Sequence, residues 1–68
     1  MNGKTHFCER LKEIRNEKSL SQKAVAEKLG IAVSTYANWE QGRTEPCIND
    51  IYAIIKAFAI DANELFDL

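Results

Sequence analysis

The residue types that build active sites and metal centres are scarce in this 68-residue chain. Its two cysteines, Cys8 and Cys47, form no C-x-x-C pair, and the single histidine, His6, leaves a zinc site without enough ligands. No glycine-rich phosphate loop and no clustered nucleophile and base appear. We therefore expect two reduced, partly buried thiols and a protein that is not an enzyme, with no metal site and no cofactor.

The sequence also lacks a long hydrophobic run. Residues 1–10 contain no continuous apolar stretch, and the most apolar segment, residues 51–60, is interrupted by Lys56. Neither a signal peptide nor a membrane span fits such a pattern. We expect a cytoplasmic protein without a membrane partner.

A large excess of basic charge is missing as well. The net charge of −1 argues weakly against nucleic-acid binding, because domains that bind nucleic acids usually carry a basic excess. The distribution is uneven, however: residues 1–28 carry +3, residues 29–46 carry −1 and residues 47–68 carry −3. The molecule therefore has a basic end and an acidic end.

The composition is that of a folded globular protein. Hydrophobic residues make up 46% of the chain and charged residues 28%, which differs from the apolar-poor composition of disordered chains. The length allows one domain, residues 1–68, with a modest core that needs efficient packing or a partner.

Apolar residues recur at helical spacing along the chain, and no strand pattern appears. An amphipathic first helix is predicted over residues 6–17, a second over about 22–29 with Ser21 as N-cap and Gly30 as stop, and a third over about 33–41 that ends at Gly42. A fourth helix carries a wide apolar stripe after Pro46, and a fifth begins at Asp61 with a capping box.

Two short helices joined by a tight glycine turn, between a leading helix and a trailing helical pair, form a helix-turn-helix pattern. The second helix of such a pair enters the major groove of DNA. A small helical bundle without a ligand shows the same pattern, so geometry alone leaves both interpretations open.

Residues 20–46, "LSQKAVAEKLGIAVSTYANWEQGRTEP", resemble the lambda-repressor-like, Cro/C1-type (XRE-type) helix-turn-helix transcriptional regulators. The resemblance extends from about Phe7 to Phe66. It implies an all-α, compact five-helix DNA-binding domain whose helix-turn-helix is formed by helices two and three.

The resemblance also implies roles for individual residues on and around helix three. The base-contacting residues would be Val33, Ser34, Ala37 and Asn38, and the phosphate-contacting residues Gln22, Gln41 and Arg43. The amide of Asn38 can pair bidentately with adenine, whereas the valine and the alanine offer only apolar contact to a thymine methyl group.

Other residues would orient the recognition helix. Tyr36 and Trp39 occupy positions where the family carries aliphatic core residues, so we expect the pair to point inward. Arg15 and Glu40 fall where family members pair helix one with the end of helix three.

The sequence departs from the family pattern at several points. Ala32 and Cys47 replace the usual Ser or Thr helix caps, each at a cost of about 1 kcal/mol. Ala59 stands where a C-terminal glycine is common. The recognition surface also lacks Arg, Lys and Gln, which favours weak or shape-driven sequence preference.

The expected function is that of a sequence-specific transcriptional regulator, a repressor that binds double-stranded DNA as a homodimer on a palindromic operator. Apolar residues near the C-terminus are predicted to form the dimer interface: Ile60, Leu65, Phe66 and Leu68. No small-molecule ligand is expected. The alternative is a protein-protein interaction module on the same fold, antitoxin-like or polymerase-associated, with little or no sequence-specific DNA binding.

Overall fold

The chain folds into helices joined by short turns. A computed structural model describes residues 3–66, and nothing but helices and turns is found between those bounds. The all-α prediction is confirmed. In chain order the helices are α1 (Gly3–Glu17), α2 (Gln22–Leu29), α3 (Val33–Gln41), α4 (Ile48–Phe58) and α5 (Ala62–Phe66).

Local signals fix the ends of α2 and α3, whose bounds match the predicted ones. The side chain of Ser21 accepts a hydrogen bond from the Ala24 amide at the start of α2. Gly30 and Gly42 end α2 and α3 with φ angles of 71° and 75°, in the left-handed region that glycine adopts without strain.

The first helix begins earlier than predicted, at Gly3 rather than at residue 6. The prediction followed apolar periodicity, which starts at Phe7. The preceding polar residues give no such signal, although nothing in their sequence stops a helix from extending through them.

Cys47 makes no side-chain cap hydrogen bond at the start of α4, as expected, but Asp50 ties the first turn of the helix back to it. The Asp50 carboxylate accepts hydrogen bonds from the Cys47 amide and the Cys47 thiol, both at 3.1 Å. The Asp50 carboxylate therefore forms the acidic half of a capping box, which bonds back to the N-cap residue and does not accept from the first helical amides as a Ser or Thr hydroxyl would. At the other end, Ala59 adopts φ 56°, where the family more often has glycine.

The core lies between all five helices. Helix α1 packs against α3 and α5, while α2 packs against α3 and α4. Cys8 is buried and Cys47 is exposed, and both are free thiols. No helix in residues 3–66 has the length and apolar character to cross a membrane. The central cluster consists of Leu11, Ile14, Val25, Ala26, Tyr36, Trp39, Ile54, Phe58 and Leu65.

Candidate nucleic-acid interface

A tight turn sets the direction of α3 relative to α2. The Ile31 amide donates to the Ala26 carbonyl at 3.0 Å. The chain therefore turns sharply at Gly30, the residue that follows α2. This is the αL closure typical of a helix C-terminus. The two helices that it joins pack directly against each other.

Helix α3 has a buried face and an open face. Tyr36, Trp39 and Glu40 are buried against the rest of the molecule. On the opposite side, Val33 is 46% exposed, Ser34 is exposed, and Ala37 and Asn38 are half-buried. The four residues predicted to face DNA bases therefore share the outward side of one helix.

The open face consists of two parallel rows. Val33 and Ala37, four residues apart, form an apolar row, and Ser34 and Asn38 form a polar row beside it. Methyl groups can contact the methyl of thymine, while a hydroxyl and an amide can hydrogen-bond to base edges. The surface has the size and chemistry of a short groove-reading helix.

The start of α3 leaves backbone donors free. Ala32 has extended backbone angles and forms no side-chain cap, as predicted, and the hydrogen bonds to its carbonyl come from Thr35 and Tyr36. The first amides of a helix have no partner within it and carry the positive end of the helix dipole. Such amides can donate to a phosphate oxygen.

A buried ion pair ties the end of α3 to α1. Arg15 Nε donates to Glu40 Oε2 at 2.6 Å and Arg15 Nη2 donates to Glu40 Oε1 at 3.1 Å, which is a bidentate arrangement. Arg15 Nη1 also donates to the Leu20 carbonyl at 2.8 Å. One guanidinium thus connects α1, the α1–α2 turn and α3.

Gln22 joins this pair. Its Nε2 donates to Glu40 Oε1 at 3.0 Å, so the first residue of α2 is also anchored to α3. The primary amide has two N–H donors, and this bond uses one of them. A phosphate contact through the second donor is compatible with the internal bond.

The pKa of Glu40 reflects both its burial and its hydrogen bonds. Burial alone would raise the pKa of Glu40, but hydrogen bonds from Arg15 and Gln22 outweigh burial and hold it below its ordinary value. The bond to Glu40 raises the pKa of Arg15. Both side chains are therefore ionised in the folded protein.

The two aromatic residues of α3 pack inward as a pair. The rings of Tyr36 and Trp39 are 6.0 Å apart and meet edge to face at 69°. The Tyr36 hydroxyl is buried and has no hydrogen-bond partner within residues 3–66. Burial and the nearby Glu40 carboxylate raise the pKa of Tyr36 far above its ordinary value.

The other predicted phosphate contacts lie at the far end of α3. Gln41 and Arg43 are exposed on either side of Gly42. The Arg43 amide donates to the Asn38 carbonyl at 3.0 Å, which fixes the backbone where α3 ends. The Arg43 side chain is exposed to solvent.

The residues predicted to form a dimer interface are mostly used within the protomer. Leu65 is 0% exposed, so its side chain belongs to the core and the prediction for it is wrong. Phe66 packs on Phe7 with ring centroids 5.6 Å apart, and Ile60 is partly buried against the core. Leu68 lies outside the described residues.

Sequence reasoning missed two features. The bond from Gln22 to Glu40 gives no periodic signal, because it depends on how α2 packs on α3. Sequence reasoning also did not separate Ile48 and Tyr52, which are 64% and 62% exposed, from the apolar residues of the fourth helix that are buried. Ile48 and Tyr52 are four residues apart, which places them on one side of the helix, different from the side of the buried Ile54, and this could have suggested a second face.

The turn, the anchored third helix and its open face define the protein as a helix-turn-helix protein. The family model described as Helix-turn-helix matches residues 11–65. The chain therefore belongs to the Cro/C1-type (XRE-type) helix-turn-helix transcriptional regulators, which bind DNA and are not enzymes.

Three known proteins illustrate the relationship. The HTH-type transcriptional regulator DdrOP3 of Deinococcus deserti is 32% identical over 90% of this chain, and the HTH-type transcriptional activator BcrR of Enterococcus faecalis is 32% identical over 87%. The chain spans 47% and 29% of these relatives, respectively. The crystal structure of the restriction-modification controller protein C.AhdI from Aeromonas hydrophila matches with a TM-score of 0.85 at 31% identity, covering 90% of this chain and 92% of that one.

Proposed function

We propose that the protein is a sequence-specific repressor that docks α3 in the major groove of an operator and acts as a homodimer in the cytoplasm. The observation that carries the proposal is the open face of α3. It presents an apolar row and a polar row to solvent while the other side is fixed by a buried ion pair. A reading helix needs this combination of exposed chemistry and fixed orientation.

The contacts divide into positioning and reading. Gln22, Gln41 and Arg43 flank α3 and would bond to phosphates, which fixes the register without reading sequence. The second N–H donor of Gln22 would let a phosphate contact and the internal bond to Glu40 coexist.

The reading residues would favour A·T pairs. Asn38 can pair bidentately with adenine, while Val33 and Ala37 can contact thymine methyl groups. No arginine or lysine lies on the open face to pair with guanine. The proposed half-site is therefore rich in A·T pairs where α3 enters the groove.

Two arguments favour a dimer that represses transcription. One is the two-fold symmetry of an operator, and the other is competition with other proteins for the same DNA. A two-fold symmetric dimer presents two recognition helices, which matches an inverted repeat with half-sites one helical turn apart. A dimer bound across an operator blocks other proteins from the same DNA without needing a further activity. Repression is therefore the simplest outcome of occupancy.

Selection of bound duplexes from a random pool tests the proposal. We expect an inverted repeat with A·T pairs in each half, bound with an affinity that falls steeply with salt, because phosphate neutralisation releases counterions. Recovery of random sequences, together with binding that does not depend on salt, would contradict the proposal. That result would favour the interaction module, for which the acidic C-terminal half of the chain would provide the surface.

A further inference from the structure

A cavity of about 220 Å³ lies where α1, α4, α5 and the loop between α3 and α4 meet. We call it the α1–α5 cavity. Its inner wall is formed by four side chains: Phe7 and Cys8 of α1, Ile51 of α4 and Phe66 of α5. An apolar cavity of about 150 Å³ can hold a benzene molecule, so this one has room for a phenyl ring with a short chain attached.

The inner wall is aromatic and reaches into the interior of the protein. The rings of Phe7 and Phe66 lie 5.6 Å apart at an angle of 34°. Cys8 is only 7% exposed and still lines the cavity. Phenyl rings attract other rings and organic cations, and sulfur packs well against aromatic edges. This wall therefore suits the aromatic body of a ligand.

The outer wall is the loop that follows α3. It consists of Thr44 and Glu45, which are exposed, and Pro46, which is half-buried. Among the described residues that line the cavity, Glu45 alone carries a charge. A carboxylate attracts a cation and repels an anion. The cavity is therefore complementary to a ligand with an apolar body and a positive charge.

From these two walls we propose that the α1–α5 cavity binds a small arylalkylammonium ion, with its ring against Phe7 and Phe66 and its ammonium group at Glu45. The ring gains free energy from burial, while the ammonium group stays in contact with water at an exposed carboxylate. Nothing in the sequence predicts this cavity, because only packing brings its four segments together. The proposal therefore goes beyond the expectation that no small molecule binds.

The cavity also touches the end of the recognition helix. Cys8 Sγ lies 3.1 Å from the place that a Cβ at Gly42 would occupy, so the inner wall contacts the residue that ends α3. Glu45 follows Arg43, a proposed phosphate contact, by two positions. A carboxylate so close along the chain opposes a phosphate, whereas a bound ammonium group offsets its charge. Occupancy of the cavity therefore strengthens DNA binding, a step that rests on the proposed function.

Nuclear magnetic resonance titration of the full chain without DNA tests the site. The probes are phenethylamine, phenethyl alcohol and phenylacetate, which share a phenyl ring and are a cation, a neutral molecule and an anion at neutral pH. We expect a dissociation constant on the order of 1 mM for the amine, about two- to fivefold weaker binding of the alcohol and the weakest binding of the acid, because an exposed charge pair contributes modestly. Equal binding of the amine and the alcohol, or no binding of the amine up to about 20 mM, would overturn the proposal.

Intermolecular nuclear Overhauser contacts locate the ring and need no substitution in the protein. The phenyl protons of the amine should show contacts to Phe7, Ile51 and Phe66. Contacts to the exposed Ile48 and Tyr52 instead would indicate adventitious binding to an apolar surface, and that outcome would reject the site.

Glu45→Gln tests the position of the ammonium group. The substitution removes the charge and keeps the shape at an exposed loop position, so the fold should be preserved. This variant should bind the amine and the alcohol equally. Glu27→Gln, at an exposed position of α2, is the matched control and should keep the preference of the wild type. A preference for the amine that survives in Glu45→Gln would contradict the assignment of the ammonium group to Glu45.

Fluorescence anisotropy with the selected operator tests the effect on DNA binding. At low salt, saturating phenethylamine should raise the affinity of the wild type about twofold relative to an equal concentration of methylammonium, because one screened repulsion is removed. Glu45→Gln should show this higher affinity without the amine and should not respond to it. An affinity that the amine lowers or leaves unchanged would overturn the link to α3. If the chain binds no DNA, the proposed function fails, whereas the titration without DNA still tests the cavity.

Discussion

The carboxylate of Glu40 connects α3 to both α1 and α2. Its side chain is 1% exposed, and its carboxylate receives three hydrogen bonds from Arg15 and Gln22. Removing one partner of a buried ion pair leaves an uncompensated charge, which costs about 3–5 kcal/mol. Replacing both partners by apolar residues can be neutral, so the pair contributes more to the geometry of α3 than to net stability.

The pH dependence of stability should reveal this carboxylate. The pKa of Glu40 in the folded protein lies below its ordinary value of 4.5, so at low pH the unfolded chain takes up the proton first. The contribution of Glu40 to the free energy of unfolding is therefore complete above the unfolded-state pKa and is lost as the pH falls through the folded-state pKa.

We expect the free energy of unfolding of Glu40→Gln to fall less steeply than that of the wild type as the pH is lowered below about 4.5. Chemical denaturation at a series of pH values measures this. Glu13→Gln, at an exposed position of α1, is the control and should follow the wild type. Identical slopes for Glu40→Gln and the wild type would mean that the ion pair does not persist in solution.

Trp39 is 3% exposed and anchors α3 to the core beside Tyr36. Trp39→Ala should lower the free energy of unfolding by about 3–5 kcal/mol, because truncation of a buried aromatic side chain leaves a cavity. That is a large part of the total for so small a domain. Thermal unfolding measures the loss, and Thr35→Ala, on the exposed side of α3, should melt near the wild type.

Asn38 and Arg43 should affect DNA binding in different ways. Arg43→Ala should weaken binding to every duplex similarly and reduce the salt slope by about one unit per subunit, because a phosphate contact is lost. Asn38→Ala should cost about 1–3 kcal/mol on the selected site and little on random DNA, because a base contact is lost. Fluorescence anisotropy with both duplexes at several salt concentrations measures both effects.

The Asn38 assignment fails if Asn38→Ala lowers specific and random binding equally or leaves both unchanged. Ser21→Ala serves as a control for helix stability, because Ser21 caps α2 but is not assigned a base contact. It should lower the melting temperature without changing the ratio of specific to random affinity.

At the scale of the element, the two glycines that end α2 and α3 differ in what surrounds them. A Cβ at Gly30 would meet nothing within 4 Å, whereas a Cβ at Gly42 would lie 3.1 Å from Cys8 Sγ. Both residues have positive φ, so alanine is strained at either position. Gly42 also lies against Cys8 of α1, so an added side chain has less space at Gly42 than at Gly30.

Gly30→Ala should therefore cost about 1 kcal/mol from backbone strain alone, and Gly42→Ala about 1 kcal/mol more from the contact with Cys8. Chemical denaturation compares the two variants. In a Cys8→Ala background the sulfur is absent, so the excess cost of Gly42→Ala should disappear. If the excess remains, strain rather than the Cys8 contact distinguishes the two turns.

At the scale of the whole molecule, the uneven charge distribution suits the proposed orientation on DNA. The basic excess lies in residues 1–28, which include α1 and α2, and the acidic excess lies in residues 47–68. A net charge of −1 therefore does not prevent the basic segment from contacting phosphates.

The dimeric mode predicts a strict dependence on operator spacing. Insertion of about five base pairs between the half-sites rotates one of them by half a helical turn, so a rigid dimer can engage only one half-site. Affinity for the altered duplex should fall to that of a single half-site. An electrophoretic mobility assay with the selected operator, the insertion and one half-site makes the comparison, and unchanged affinity would indicate that the copies bind independently.

The boundaries of α2 and α3 were predictable because local signals define them. Ser21, Gly30 and Gly42 act on their immediate neighbours, and their effect is readable from the chain. The early start of α1 and the bonds from Cys47 to Asp50 were missed. The first has no apolar signal, and the second depends on an acidic side chain three residues away that bonds back to the N-cap residue.

The all-α class, the order of the helices, the helix-turn-helix and the two faces of α3 could be predicted from the chain, because periodicity and local capping act over a few residues. The family followed from the resemblance of residues 20–46. Packing between helices was needed to see that Gln22 bonds to Glu40, that Leu65 is a core residue, and that Ile48 and Tyr52 are exposed. The reason is that an apolar stripe specifies what can be buried, whereas the packing of one helix on another decides which part of the stripe is covered.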